Sequence, residues 1–221
     1  MANCDTCSYS GCKYSKKLVE ALIREVGVKN FIETGTYKGN TTRDVATEFP
    51  DVNIQTVELS AQYHQSVKPT FENFSNIKSF LWNSIDFLKN VRLEDGPTLY
   101  YLDAHWGDQH PLPEELAIIS QRSVGNEIVV IDDFQVPNRP FGYDSTHKGQ
   151  VYCMSWIDGI LDSNNWGYFY KGEQDHPQQA TGQVVFFHKN LNLSKFIEYQ
   201  DGIPYSITSD LTCIASNESG R

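Results

Sequence analysis

The chain has 221 residues, of which 39% are hydrophobic and 21% are charged, a composition ordinary for a soluble globular protein. Its 18 basic and 28 acidic residues give a net charge of −10. This negative charge disfavours binding to nucleic acid or to an anionic membrane through a general basic surface. No apolar run approaches the roughly 20 residues that span a bilayer. The N-terminus also lacks the basic and apolar regions of a signal peptide, so we expect a cytoplasmic protein.

Hydrophobic periodicity predicts strands that alternate with helices along most of the chain. The first half contains a helix at 15–27, a strand at 31–33, a helix through Val45 and Phe49, a strand at 54–58, a helix at 61–68 broken near Pro69, a weaker strand at 77–81 and a helix at 85–91. The second half contains a strand ending at Asp103, a helix starting at Pro111, a strand ending at Asp133, a helix marked by Met154, Ile157, Ile160 and Leu161, and strands at 166–170 and 184–187.

Strands that alternate with helices and then end in a pair of strands without a helix between them predict an α/β fold. The expected architecture is a doubly wound, mostly parallel seven-stranded sheet with a terminal antiparallel hairpin. The sequence divides into an N-terminal segment (1–14), one domain (15–205) and a C-terminal tail (206–221).

Three of the five cysteines crowd the N-terminus, at Cys4, Cys7 and Cys12. A Cys-x-x-Cys pair can bind zinc, but Cys153 and Cys213 form no second pair. We therefore expect reduced thiols on a loose N-terminal segment, with a metal site as the less favoured alternative.

Two apolar runs end in acidic residues. Residues 99–102 lead to Asp103, and residues 128–131 lead to Asp132 and Asp133. Runs that are apolar on both faces suit parallel strands covered by helices, and ligands in such sheets bind beyond the carboxyl ends of the strands. Neighbouring strands about 4.8 Å apart would bring these carboxylates together, where they repel one another unless a cation holds them. The pattern predicts a hard divalent cation with oxygen ligands, against the alternative of solvated loop acids.

A second pattern, Glu33-x-Gly35-x-x-x-Gly39, lies at the turn from the first strand into the next helix. Glycine lets a ligand approach the backbone, and a helix N-terminus offers free N–H donors. The dinucleotide-binding fingerprint would need glycine in place of Tyr37, so that class is not indicated. Alone, the pattern fits a tight turn about as well as a ligand site. Glu58 favours the ligand, because an acid that ends the second strand can accept hydrogen bonds from a ribose diol.

Together these residues resemble the class I S-adenosylmethionine-dependent methyltransferases, over roughly residues 30–190. The resemblance implies that the methionine part of S-adenosylmethionine (SAM) lies on the loop from Glu33 to Gly39, its ribose on Glu58, and its adenine near Asn83 and Ser84. The complete set of cofactor-binding residues that it implies is Glu33, Gly35, Thr36, Tyr37, Gly39, Thr41, Glu58, Asn83, Ser84 and Asp103.

The acids narrow the resemblance further. Asp103, Asp132 and Asp133 resemble the metal ligands of divalent-cation-dependent O-methyltransferases of the catechol type and of the macrocin/mycinamicin sugar type. The chain lacks the Asp-Gly-Asp of many sugar enzymes, and Trp106 stands where the catechol type has a lysine. In their place, His105 is the predicted catalytic base: Mg²⁺ polarises a hydroxyl of the substrate and His105 accepts the proton. The alternative for His105 is a structural role beside the metal.

The resemblance thus implies a Mg²⁺-dependent O-methyltransferase that acts on a hydroxyl of a small molecule or a glycoside. A homo-oligomer is one assembly that the sequence leaves open. One alternative is a metal-dependent hydrolase, which would leave the glycine loop and Glu58 unexplained. The other is a non-catalytic cofactor-binding module on the same fold. The loop at 136–149 is long enough to be a lid or a substrate loop, and specificity for the methyl acceptor is expected there.

Overall fold

The computed structural model describes Tyr9, residues 13–105, 110–172 and 181–191, and Leu193. Its helices are α1 (Lys13–Val26), α2 (Asn40–Glu48), α3 (Ala61–Phe71), α4 (Ser84–Asn90), α5 (Leu112–Arg122) and α6 (Met154–Ile157). Its strands are β1 (Asn30–Thr34), β2 (Asn53–Glu58), β3 (Ile77–Leu81), β4 (Thr98–Leu102), β5 (Glu127–Ile131), β6 (Trp166–Tyr170) and β7 (Val184–His188). The N-terminal cysteines, Trp106 and the predicted C-terminal tail lie outside the described residues.

The seven strands form one sheet in the order β3-β2-β1-β4-β5-β7-β6. Strands β1 to β5 are parallel, whereas β7 runs antiparallel to both β5 and β6. This arrangement confirms the predicted doubly wound sheet with a terminal antiparallel hairpin. The strand order reverses between β1 and β4, and a crevice at the carboxyl ends of the strands is the usual ligand site at such a reversal.

The central strands are buried on both faces, which explains why the last four residues of β4 and of β5 form continuous apolar runs. Every residue of β1, β4 and β5 is buried. Alternate residues point to opposite faces, so that Phe31 and Ile128 join the core cluster under α1, while Ile32 and Val129 join the cluster under α5. Two packed faces hold the strand ends rigidly, and these ends carry the candidate site.

Two predicted helix boundaries are wrong. Helix α3 continues past Pro69 to Phe71, because a proline in the last turn removes only one backbone hydrogen bond and the N–H of Glu72 still bonds to the Lys68 carbonyl. Helix α6 ends at Ile157, and Gly159 behind it adopts a left-handed backbone (φ +74°), so the helical spacing of the apolar residues does not continue. None of the described helices is long and apolar enough to cross a membrane.

Candidate active site

A cavity of about 460 Å³ opens at the carboxyl ends of the parallel strands, within the roughly 300–1,000 Å³ usual for small-molecule sites. The segments that follow β1, β2, β3, β4 and β5 all contribute to its walls. Six of the predicted cofactor-binding residues line it, namely Gly35, Tyr37, Glu58, Asn83, Ser84 and Asp103. The cavity therefore lies where the sequence predicted a ligand.

The glycine loop approaches the end of β4 very closely. Gly35 has φ +87°, and a Cβ atom there would lie 2.4 Å from the carbonyl oxygen of Asp103. Gly39 (φ +68°) faces the ring of Phe71, which would lie 2.5 Å from such a Cβ. Both positions need glycine for packing inside the protein. Their glycines thus fit a ligand loop, but the fold alone already requires them.

The remaining predicted cofactor residues, Glu33, Thr36, Gly39 and Thr41, are not among those lining the cavity. The Glu33 carboxylate is buried beneath the loop, where it accepts hydrogen bonds from Thr42 and, at 2.7 Å, from Thr56. Burial raises the pKa of Glu33 to about 7. The structure thus places Glu33 as a support of the loop, and its contact with a cofactor stays a prediction.

Glu58 has a carboxylate whose position is fixed by backbone donors. Its Oε2 accepts from the N–H of Tyr37 at 2.7 Å, and its Oε1 accepts from the N–H of Ser60 at 2.8 Å. Each carboxylate oxygen can accept more than one hydrogen bond, so both oxygens remain able to receive hydroxyl donors from the cavity. Glu58 therefore joins the turn after β1 to the turn after β2 and presents a preoriented acceptor.

Sequence reasoning missed the apolar part of the cavity, formed by Leu59, Tyr63, Trp82 and Ile85. Tyr63 packs edge-on against Tyr37 with ring centroids 4.5 Å apart, and Trp82 is 42% exposed. Large apolar side chains left open to solvent around a cavity suit a planar ligand ring. The available signal was the position of Leu59 and Trp82 directly after the carboxyl ends of β2 and β3, with Tyr63 and Ile85 in the helices that follow. We refer to these four residues as the apolar shelf.

At the other end of the cavity, three residues converge. The Nε2 atom of His105 lies 3.2 Å from Oδ2 of Asp133 and 3.6 Å from Oδ1 of Asp103, and one ligand atom from each residue lies within 4.8 Å of the others. Asp133 has φ +52°, a conformation uncommon for residues other than glycine. Its Oδ1 is buried and has no hydrogen-bond partner within the part of the chain that the structure describes. An orphaned buried carboxylate oxygen beside two further ligand groups fits a divalent cation.

The loop at 136–149 adds a fourth residue, which the sequence did not single out. Oδ2 of Asp144 lies 2.8 Å from Nδ1 of His105, and the backbone N–H of Asp144 donates to the Asp133 carbonyl at 2.8 Å. Hydrogen bonds to Asp103, Asp133 and Asp144 raise the pKa of His105 far above its ordinary value. The neutral imidazole expected from the sequence therefore depends on a cation that offsets these carboxylates.

Asp132, the other predicted ligand, has its carboxylate in a different environment. Its Oδ2 accepts from the Tyr101 hydroxyl at 2.5 Å, and its Oδ1 accepts from Thr181 and Gln183 at 3.0 Å each. The backbone N–H of Asp133 is a further donor, at 3.0 Å. The structure brings Asp103, His105 and Asp133 together but directs Asp132 toward β4 and the segment leading into β7.

Solved structures with this fold include the O-methyltransferase TomG from Streptomyces achromogenes, involved in tomaymycin synthesis and solved with SAM (16% identity, 84% of this chain, 82% of that chain, TM-score 0.61). The SAH-bound methyltransferase PaMTH1 from Podospora anserina is similar (16% identity, 86% and 82% covered, TM-score 0.57). So is an rRNA methylase from Streptococcus thermophilus (14% identity, 77% and 94% covered, TM-score 0.53). No protein-family model and no curated protein matches the chain.

The fold is therefore that of the class I SAM-dependent methyltransferases, as the sequence resemblance predicted. At these identities the likeness establishes the fold alone, and fold does not decide function. The similar structures include an rRNA methylase beside an O-methyltransferase of tomaymycin synthesis. The chemistry of this chain depends on the residues of its own cavity.

Proposed function

We propose that this protein is a SAM-dependent O-methyltransferase that uses a divalent cation, Mg²⁺ in the prediction from sequence, and methylates a hydroxyl of a small molecule or a glycoside. One observation carries the proposal: a single cavity joins the apolar shelf and Glu58 at one end to Asp103, His105 and Asp133 at the other. A cofactor end and an acidic end in one cavity match a reaction between a bound methyl donor and a hydroxyl.

The cofactor end supports the proposal through complementary chemistry. The apolar shelf can cover a planar base, and the fixed carboxylate of Glu58 can accept hydrogen bonds from two ribose hydroxyls. Asn83 already uses its side-chain oxygen to cap α4, at 2.8 Å from the N–H of Asp86. Ser84 lies beside it at the start of that helix. This end of the cavity needs little rearrangement to receive SAM.

The acidic end supports the choice of a hydroxyl acceptor. Methyl transfer is an in-line displacement that needs a positioned and deprotonated nucleophile. Asp103 and Asp133 are the residues that would hold the cation, which when bound lowers the pKa of a hydroxyl. The imidazole of His105 lies at the same place, with Asp144 orienting its other nitrogen. This position supports two roles for His105: it would receive a proton at Nε2, as predicted from the sequence, or it would bind the cation directly.

Calorimetric titration of the protein with SAM, before and after removal of cations with EDTA, tests the proposal. We expect SAM to bind in both conditions, because the apolar shelf and Glu58 contain none of the proposed cation ligands. Methyl transfer from SAM to a panel of phenols, catechols and alkyl glycosides should then require added Mg²⁺ or Mn²⁺. A folded protein that does not bind SAM in either condition contradicts the proposal, and a Glu58→Ala variant is the control for binding outside the cavity.

A further inference from the structure

The imidazole of His105 has its two nitrogens in distinct environments. Nδ1 faces Asp144 at 2.8 Å, whereas Nε2 faces Asp133 at 3.2 Å and Asp103 at 3.6 Å. A hydrogen bond from Nδ1–H to the Asp144 carboxylate leaves the lone pair of Nε2 directed at the two acids. This is the arrangement that carboxylates impose on histidines that bind metals.

The spacing of the three ligand atoms also suits a shared cation. Two ligands each about 2.1 Å from one ion stand about 3.0–3.5 Å apart for bond angles between those of an octahedron and a tetrahedron. The two separations from Nε2, 3.2 and 3.6 Å, lie close to this range. The buried Oδ1 of Asp133 has no hydrogen-bond partner among the described residues, which is an independent sign that this carboxylate meets a further group.

We infer that His105 is a direct ligand of the cation through Nε2, that Asp103 and Asp133 complete a set of two carboxylates and one imidazole, and that Asp144 is the positioning residue for the imidazole. The inference rests on the proposed function in one respect, that a cation binds at this end of the cavity. It replaces Asp132 by His105 in the ligand set and assigns His105 a task other than that of the base.

An imidazole ligand changes which metals the site prefers. Oxygen ligands suit Mg²⁺, Ca²⁺ and Mn²⁺, whereas imidazole suits transition metals such as Fe²⁺, Ni²⁺ and Zn²⁺. The wild-type protein should therefore bind Ni²⁺ and Zn²⁺ more tightly than Mg²⁺. Replacement of His105 by alanine should weaken Ni²⁺ binding by about 100-fold and Mg²⁺ binding by less, so that the preference for Ni²⁺ over Mg²⁺ narrows.

Pulsed EPR of the Mn²⁺-loaded protein tests the inference without reference to activity. A directly bound imidazole gives a ¹⁴N modulation, which we expect in the wild type and in a His188→Ala control, since His188 lies beside the amino end of β5, whereas the site follows its carboxyl end. The modulation should be absent from His105→Ala. Mn²⁺ bound to the wild type without the modulation, or a modulation that persists in His105→Ala, would overturn the inference.

Variants of Asp144 test the positioning role. Asp144→Ala should weaken Mn²⁺ binding by about 10–100-fold while keeping the ¹⁴N modulation. Asp144→Asn, which still offers an oxygen acceptor to Nδ1–H, should restore most of that affinity. Equal Mn²⁺ affinity in Asp144→Ala and the wild type would contradict the role of Asp144. SAM affinity, measured on the same samples, distinguishes the two proposals. A wild type that binds SAM and Mn²⁺ but shows no ¹⁴N modulation refutes only the proposed ligand set. A wild type that does not bind SAM refutes the proposed function.

Discussion

The two ends of the cavity differ in how their acidic groups are satisfied. At the cofactor end, both carboxylate oxygens of Glu58 accept backbone N–H groups, and beneath it Glu33 accepts from two threonines. At the acidic end, which we also call the proposed metal end, Asp103, Asp133 and Asp144 surround one imidazole, and one oxygen of Asp133 has no hydrogen-bond partner among the described residues.

This difference separates a site prepared by its own hydrogen bonds from a site that, in the proposed function, a bound cation completes. Hydrogen bonds fix the Glu58 carboxylate before any ligand binds, which reduces the ordering cost of binding. The carboxylates of the metal end repel one another, and burial raises the pKa of Asp103 and Asp133. The cofactor end should thus be insensitive to cations, and the metal end should depend on them.

The largest expected effect is at Asp133. Asp133→Asn removes a charged ligand and should lower cation-dependent methyl transfer by at least about 10³-fold, or about 4 kcal/mol, with SAM affinity unchanged within about twofold. Initial rates and calorimetry on the same preparation measure both quantities. The matched control is Asp51→Asn, at an exposed turn. A parallel loss of SAM affinity would break the distinction between the two ends.

Replacement of the neighbouring acid, Asp132, should instead lower the stability of the fold. Asp132→Ala leaves the buried donors of Tyr101, Thr181 and Gln183 without their acceptor, which should lower the free energy of unfolding by about 3 kcal/mol. Urea denaturation measures the change. Asp132→Asn keeps an acceptor oxygen and should recover more than half of the loss. Full stability of Asp132→Ala would show that this carboxylate is not the structural anchor that its contacts indicate.

Glu115, on α5 beside Ser84 and Thr34, gives a pH-dependent effect of intermediate size. Burial raises its pKa from 4.5 to about 7, so the folded state holds the proton more tightly than the unfolded state. The contribution of protonated Glu115 to the free energy of unfolding is fully present below about pH 4.5 and is lost as the pH rises through about 7. Glu115→Gln cannot ionise and should be more stable than the wild type by about 2 kcal/mol at pH 8, with little difference at pH 4.5.

Thermal unfolding at the two pH values measures this effect, and Glu114→Gln, on the exposed side of the same helix turn, is the control. A gain in stability that is equal at pH 4.5 and pH 8 would mean that the charge of Glu115 is not its cause. The size of the effect at pH 8 would also show how much the charge of a buried carboxylate close to the cofactor end costs in stability.

The smallest effect is expected at Glu58. Glu58→Ala removes the acceptor of the ribose hydroxyls and should weaken SAM binding by about tenfold, the worth of one good hydrogen bond to a charged group. Mg²⁺ or Mn²⁺ binding should not change. Calorimetry with each ligand in turn checks both statements, with Glu72→Ala at an exposed position as the control. SAM affinity equal to that of the wild type would remove Glu58 from the proposed site.

The sequence predicted the sheet well because buried parallel strands leave an unmistakable pattern. The runs before Asp103 and Asp132 located the ends of β4 and β5, in which every residue is buried. The bounds of β3, a partly exposed edge strand, were also predicted without error. The glycine loop was found through its spacing, although its packing against Asp103 was not. The fold and the position of the cavity therefore follow from patterns within short stretches of the chain.

The sequence did not predict which acidic side chains surround His105 at the proposed metal end. Successive residues of an extended segment point to opposite sides, so the sequence cannot say which of Asp132 and Asp133 faces the cavity, and the positive φ of Asp133 alters the direction again. Asp144 comes from a loop without periodicity, and its approach to His105 depends on tertiary packing. Residues that meet only through the fold of distant segments carry no local signal.

The hydrogen bonds of Asp132 have a consequence for the order in which the chain acquires its shape. They join β4 and β5 to Thr181 and Gln183, just before β7, and Ile131 pairs with Val184 across a long sequence separation. Such distant pairings form late, because closing a long loop costs chain entropy before any contact is gained. The residues of the cavity leave the ribosome before β7 does. Two of the four donors to the Asp132 carboxylate, Thr181 and Gln183, reach it only when the last strands dock, so completion of this end of the cavity is tied to completion of the sheet.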